Sequence, residues 1–145
     1  MFSTSITIKT DELANAAKKL LARYTSGERN FSGENFQGIR LRSADLRGTN
    51  LSSVNLSFAN LRGCNFRVAN MTKANMNGSY LIDANMSNAD LRGISITDAN
   101  LSNADMWDAD LSGANLSGSN LFRANLGMAD FSNANFSNTV LTDAS

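Results

Sequence analysis

The stretch ANLSNADMWDADLSGANLSG, residues 99–118, contains four copies of one five-residue unit. Each copy begins with alanine, continues with asparagine or aspartate, and places a large apolar residue third. Outward from this stretch the period runs without a gap from Phe31 to Leu141, and all 23 apolar positions hold Leu, Phe, Met or Ile. We call these positions the centres. The unit is A-(N/D)-(L/F/M)-x-x, which predicts a repeat protein.

A period of five fits neither a helix nor a flat strand. On an α-helix five residues advance by about 140°, so the centres scatter around the axis. On a strand an odd period sends consecutive centres to opposite faces. A chain that turns after every five residues instead points each centre, and the small residue two before it, to one interior. Four such sides close a coil of about 20 residues, and stacked coils pair their backbones as neighbouring strands do.

The A-(N/D)-L-x-x array resembles the pentapeptide-repeat family, whose fold is a right-handed quadrilateral β-helix. The resemblance implies an all-β solenoid of nearly six coils over residues 29–145. The segment LLARYTSGERNFSG, residues 20–33, also resembles the opening of many cyanobacterial members. Because the family includes topoisomerase-binding DNA mimics and developmental regulators, the resemblance implies a fold more sharply than a function.

The two ends of the array differ. In the N-terminal segment, residues 1–28, the sequence predicts a short capping α-helix over about 11–24, with Thr10 as its N-cap and Gly27 after its end. Such a helix covers the apolar centres of the first coil. No helix follows the last repeat before Ser145. We expect self-association through this uncapped coil or a truncated C-terminus, with a frayed polar coil as the alternative.

Composition excludes most site chemistry. The chain has 13 basic and 13 acidic residues, no histidine and one cysteine, Cys64, which takes an alanine position and is expected to be a core residue. Residues 1–80 carry a net charge of +6 and residues 81–145 a net charge of −6. We expect no enzyme activity, no cofactor, no metal site, no direct nucleic-acid binding and no membrane span. A cytoplasmic location is also expected.

Residues 20 apart lie above one another in a four-sided coil, so the exterior divides into four faces. We name the faces by their centres: A (31, 51, 71 and onward), B (36, 56), C (41, 61) and D (46, 66). The residues after the centres of faces C and D include a cluster of arginines: Arg42, Arg47, Arg62 and Arg67, with Arg40 nearby. This cluster is either a site for an anion or acidic partner, or a solvated face whose guanidinium groups point apart.

Apolar residues in outward positions also favour faces C and D. They are Tyr80, Ile82 and Phe122 on face C, and Val68, Trp107 and Met128 on face D. Tyrosine and tryptophan are enriched where protein partners bind. The set indicates either a protein-contact patch or chance clustering.

Face A carries an acidic ladder directly before its centres: Asp90, Asp110 and Asp130. Carboxylates at ladder spacing repel one another, and a hard cation or a basic partner relieves that repulsion. The alternative is ordinary exchange of asparagine for aspartate at a turn position.

These features favour a non-catalytic protein–protein interaction scaffold that binds an unidentified partner protein through faces C and D. The alternative is a DNA mimic that binds a type II topoisomerase such as gyrase, as some family members do. That role calls for a broadly acidic surface, whereas the acidic residues here form only a local stretch.

Overall fold

The computed structural model describes residues 2–145 of the chain, and the side chains of residues 9–145. Its organising feature is the 20-residue register. Parallel β-bridges join residues 20 apart, from Asn30↔Asn50 to Asn120↔Val140. Within the described residues the pairing never extends beyond single bridges, so the sides of the coil are not continuous strands. The predicted β-solenoid is thus confirmed in its period and coil length, while its right-handed sense stays a prediction.

Each five-residue side ends in a turn with a fixed backbone conformation. Every residue two after a centre has a positive φ, from 69° at Gly33 to 58° at Asp143. The N–H of the residue after that closes the turn, as Ala104 does by donating to the carbonyl of Leu101 at 3.0 Å. Glycine, asparagine and aspartate tolerate this left-handed region, which explains their frequency there.

Asparagine before the centre serves the same turn. The Oδ1 of Asn100 accepts from the backbone N–H of Ser102 at 3.1 Å, a contact repeated along the solenoid. On some faces its amide also donates to the coil below, as Asn50 does to Asn30 at 3.1 Å. The repeat therefore specifies backbone hydrogen bonding as well as burial.

The interior is filled by the centres and the small residues two before them. The core runs from Leu20 and Phe31 to Leu121 and Ala124, and most of its residues are buried almost completely. Cys64 belongs to this core, and burial raises the pKa of its thiol to about 11. A thiol that stays protonated and inaccessible is a structural group, as expected.

The N-terminal helix, α1, spans Phe2–Thr25. The prediction of a start near residue 11 was wrong, and Thr10 lies inside α1. Residues 1–9 include no glycine or proline that would stop the helix from continuing toward the N-terminus. The predicted capping contacts are present, since Ala17 and Leu20 of α1 belong to the core. The guanidinium of Arg23 ties α1 to the first coil through Glu34 at 2.7 Å.

The last coil is covered less well than the first. Phe31 is 1 % exposed beneath α1, whereas Phe131, on the same ladder five coils later, is only half-buried. Leu141 is exposed, and no helix of the described residues covers it. Self-association through this end stays a prediction.

Candidate functional site

The structure exposes most of the predicted apolar residues. Tyr80 is 55 % exposed, Trp107 45 % and Met128 77 %. The indole of Trp107 lies against Gly127 of the next coil, where the absence of a side chain makes room for it. Ile82 and Phe122 are half-buried, and the Arg123 guanidinium covers the Phe122 ring at 4.8 Å from its centroid. These two residues offer less contact surface than the sequence predicted.

Phe58 is a large exposed residue that the sequence analysis missed. It is 63 % exposed and stands two after a centre of face B, at the corner where face B meets face C. The prediction for face B rested only on the position directly after each centre, where the residues are small or polar. The signal was present in the turn position itself, where a phenylalanine replaces the usual glycine, asparagine, aspartate or serine.

Phe58 shares a strained backbone conformation with two other exposed apolar residues. Its φ is 58°, that of Val68 is 60°, and that of Met128 is 62°. Bulky and β-branched residues adopt positive φ at a cost of about 1–2 kcal/mol. Strain of this kind is commonly found where a side chain serves a purpose other than stability.

The arginine cluster is divided by its ion pairs. The Arg47 guanidinium pairs with Asp45 at 2.8 Å and holds the pKa of that carboxyl below its usual value. The Arg62 guanidinium lies 3.4 Å from Asp83. Arg40, Arg42 and Arg67 have no acidic partner among the described residues. Two of these five arginines are therefore neutralised within the chain, and three have no carboxylate beside them in the part that the structure describes.

Two unpaired arginines and two exposed rings line one groove on face C. The groove has a volume of about 370 Å³ and is lined by Gly38, Arg40, Arg42, Phe58, Asn60 and Tyr80. Its arginines and the Asn60 amide are hydrogen-bond donors, and its rings offer apolar faces. The structure thus brings predicted Arg42 and Tyr80 together with Phe58.

A second hollow adjoins this groove on the α1 side of Phe58. Its volume is about 360 Å³, and Lys9 and Leu13 of α1 line it together with Gln37, Gly38 and Phe58. Gly38 and Phe58 are common to both hollows. We call the two together the trough.

A separate hollow at the corner between faces D and A holds two more of the predicted arginines. Its volume is about 320 Å³, and Arg47, Arg67 and Val68 line it with Tyr24 and Arg29. The Arg29 guanidinium stacks on the Tyr24 ring at 3.8 Å. The predicted residues on faces C and D therefore form several sites along the rod rather than one.

The acidic ladder has the predicted register and an unpredicted partner. Parallel bridges join Asp90 to Asp110 and Asp110 to Asp130. Arg92 pairs with Asp90 at 2.6 Å and lies 3.7 Å from Asp110. Hydrogen bonds from Ser132 lower the pKa of Asp130. The basic partner expected for the ladder is thus supplied in part by the chain itself.

The described residues also bear on membrane insertion and metal binding. Within residues 2–145, no helix combines the length and apolar character that a membrane span requires. In the same part of the chain, no group of three or more histidine, cysteine, aspartate or glutamate side chains is arranged to hold a metal ion.

Comparison with known proteins identifies the fold that carries this surface. The family model for pentapeptide repeats matches eight copies, over residues 30–67, 59–98, 99–138 and 119–145. No curated protein matches the chain in sequence.

Several solved structures are similar. QnrB1, a plasmid-mediated fluoroquinolone resistance protein, is 24% identical with a TM-score of 0.53, over 81% of this chain and 68% of that one. Rfr23 from the cyanobacterium Cyanothece 51142 is 23% identical with a TM-score of 0.46, over 83% and 95%. The pentapeptide repeat protein alr5209 from Nostoc PCC 7120 is 32% identical with a TM-score of 0.30, over 79% and 74%. With its repeats matched along most of its length, the chain belongs to the pentapeptide repeat family.

Proposed function

We propose that this protein is a non-catalytic scaffold that binds a partner protein through faces C and D. The observation that carries the proposal is the placement of Phe58, a bulky ring held at positive φ, beside two arginines without acidic partners. Exposed aromatic rings and arginine are the residues most enriched at protein interfaces. A cytoplasmic location and a right-handed coil are part of this proposal.

The filled interior supports binding over catalysis. Enzyme sites are concave and enclose their substrates, whereas the centres occupy the inside of this rod and leave only open surface hollows. A rod with four flat sides suits contact with a second folded surface or an extended chain.

Mimicry of DNA toward a topoisomerase receives less support. Arg92 neutralises part of the acidic ladder, and the first coils present unpaired arginines. A continuous polyanion-like surface carries a negative charge at every few ångströms and excludes such cations. Inhibition of gyrase supercoiling by the purified protein would favour the alternative.

The experiment is affinity capture from cells that natively make the protein, with four versions of the full chain side by side. Wild type is compared with Arg42→Ser/Tyr80→Ser, with Trp107→Ser/Met128→Ser, and with the face A control Lys73→Ser/Arg92→Ser. Because all six residues are exposed, each variant is expected to keep the wild-type circular dichroism spectrum.

We expect one partner to be captured by wild type and by the face A control, and lost with at least one variant of face C or D. Equal capture by all four versions, or loss with the face A control alone, contradicts the proposal.

A further inference from the structure

Resting on the proposed function, we propose that the trough binds an extended segment of the partner in which acidic residues flank one apolar side chain. The trough runs from α1 to the third coil and follows the corner of faces B and C. Lys9 lines the hollow on one side of the Phe58 ring, and Arg40 and Arg42 line the hollow on its other side.

The apolar middle of the trough is formed by Phe58 and the glycines above and below it. Gly38, Phe58 and Gly78 are successive residues of one ladder. A Cβ at residue 78 would meet the Phe58 ring at 2.6 Å, and one at residue 38 would lie 3.8 Å from Cδ1 of Leu13. Gly78 therefore gives the Phe58 ring room to lie over the third coil, where the ring stays 63 % exposed, and Gly38 leaves the side chain of Leu13 uncovered beside it.

The charge of the trough has one sign. Lys9 lines one hollow and Arg40 and Arg42 line the other, while neither hollow is lined by aspartate or glutamate. These three cations have no ion-pair partner among the described residues. Elsewhere on the first coils Arg47 and Arg62 pair with the carboxylates of Asp45 and Asp83. An unpaired cation cluster beside exposed rings is complementary to a segment with carboxylates at both ends.

Asn60 adds a donor in the same place. The amide of Asn50 donates to the asparagine below it in its ladder, at 3.1 Å. The residue below Asn60 is Arg40, which carries no acceptor, so the NH₂ group of Asn60 has no partner among the described residues. Backbone carbonyls of an extended segment supply acceptors for this kind of donor.

The extent of the cationic surface selects a peptide over a nucleic acid. Asp98 follows Gly78 in the ladder of Phe58, and Asp83 follows Gly63 on face C. Three coils beyond Gly38 this ladder thus carries Asp98, while duplex DNA carries a negative charge about every 1.7 Å along its axis. A long polyanion that extended past the cationic surface would be repelled by these aspartates, whereas a short acidic segment would end before it reached them.

The openness of the trough argues against a small free ligand. Phe58 and Tyr80 are each more than half exposed, and Arg40 and Arg42 are exposed. Pockets for small molecules enclose most of the ligand surface, whereas the trough is open along one side. A chain segment, tethered at both ends to a folded partner, does not need to be enclosed.

The test is selection of a random twelve-residue peptide library, displayed on phage, against the full chain. The enriched peptides are synthesised, and their Kd is measured by isothermal titration calorimetry against wild type and four variants, one of which is Trp107→Ser/Met128→Ser on face D. Arg40→Gln/Arg42→Gln removes the charge, Phe58→Asn removes the ring, and Lys73→Gln/Arg92→Gln is the matched control on face A. Arg40, Arg42 and Phe58 are exposed, so folding of these variants is expected and is checked by thermal unfolding.

We expect the enriched peptides to carry acidic residues on both sides of an apolar one. Their Kd should rise at least tenfold in each trough variant, stay within twofold in the control, and rise with salt. Selection of peptides without acidic residues, equal affinity for the trough variants, or no enrichment overturns the inference. If affinity falls only in Trp107→Ser/Met128→Ser, the trough inference fails while the scaffold function stands. Failure of the scaffold function appears separately, as equal capture by all versions in the cell experiment.

Discussion

The ring of Phe58 lies over Gly78 of the next coil, so closely that a Cβ on residue 78 would meet Cε1 of the ring at 2.6 Å. The two residues also share the left-handed turn conformation, with φ of 58° and 64°. A phenylalanine in this position is accommodated because its neighbour on the ladder has no side chain. The pair therefore links the repeat pattern to the surface that we propose for binding.

Substitution of Gly78 by alanine tests this contact. Any alanine at positive φ costs about 1 kcal/mol, and Gly113→Ala is the control because nothing lies within 4 Å of its Cβ position. Gly78→Ala should cost about 0.5–1 kcal/mol more, since the Phe58 ring must leave its rotamer. Urea unfolding measures both. In the Phe58→Ser background the two costs should become equal, and a difference that survives there would show that the ring is not its cause.

Val68 provides a test of strain in the turn. Its φ of 60° is unfavourable for a β-branched residue, whereas Asn88, next on the same ladder, has φ 56° and a side chain that tolerates it. Val68→Asn should raise the free energy of unfolding by about 1 kcal/mol, and Asn88→Val should lower it by a similar amount. Chemical denaturation should therefore show changes in the free energy of unfolding of opposite sign for the two variants. Destabilisation by both changes would mean that Val68 makes contacts worth more than its strain.

The buried hydroxyl of Ser79 offers a third test. It has no hydrogen-bond partner among the described residues, although Ser79 is only 1 % exposed and most equivalent positions hold alanine. Ser79→Ala should stabilise the protein by about 1 kcal/mol, because an unsatisfied buried polar group is removed. Thr49, in an equivalent position, is the control, since its hydroxyl donates to the Leu46 carbonyl at 2.7 Å. Thr49→Val should destabilise by about 1 kcal/mol. A stabilising Thr49→Val, or a destabilising Ser79→Ala, would contradict this assignment.

The acidic ladder predicts a dependence of stability on pH. Hydrogen bonds from the Arg92 side chain hold the pKa of Asp90 below its ordinary value. A carboxyl group whose pKa is lower in the folded than in the unfolded state stabilises the fold at pH values above its unfolded-state pKa. This stabilisation is lost as the pH falls through its folded-state pKa. Arg92→Gln should therefore be less stable than wild type at pH 7, and the difference should shrink below about pH 4.

The control is Lys73→Gln, which removes a cation of the same face that has no ion-pair partner among the described residues. Its difference from wild type should not change between pH 7 and pH 3. Carbon-detected NMR of the Asp90 carboxyl should also show a higher pKa in Arg92→Gln. An unchanged pKa would remove Arg92 as the cause.

The repeat predicts the inside of this protein better than its outside. Each turn is closed within its own five residues, so the period alone determines which residues point inward and which residues lie 20 apart. The bridge from Asp90 to Asp110 could be read directly from the sequence for this reason. Cys64 was likewise assigned to the core because it takes an alanine position.

The ion pairs and hollows of the surface depend on side-chain conformations that the five-residue period does not determine. Arg47 turns back to Asp45, two residues earlier on its own side, while Arg42 has no such carboxylate within its repeat. Phe58 was missed because a turn position was treated as structural only. The start of α1 was missed because a helix without a breaker extends past the strongest periodic segment.

The central claim, that a partner binds on the side of the rod that carries Arg42 and Arg62, is tested most directly by photocrosslinking in cells that natively make the protein. Arg42→p-benzoylphenylalanine and Arg62→p-benzoylphenylalanine place the crosslinker on face C, and Thr72→p-benzoylphenylalanine places it on the opposite face A, ten residues along the chain from residue 62. We expect one covalent adduct of the same mass from positions 42 and 62, and none from position 72. Adducts from position 72 alone, or equal adducts from both faces, would contradict the account.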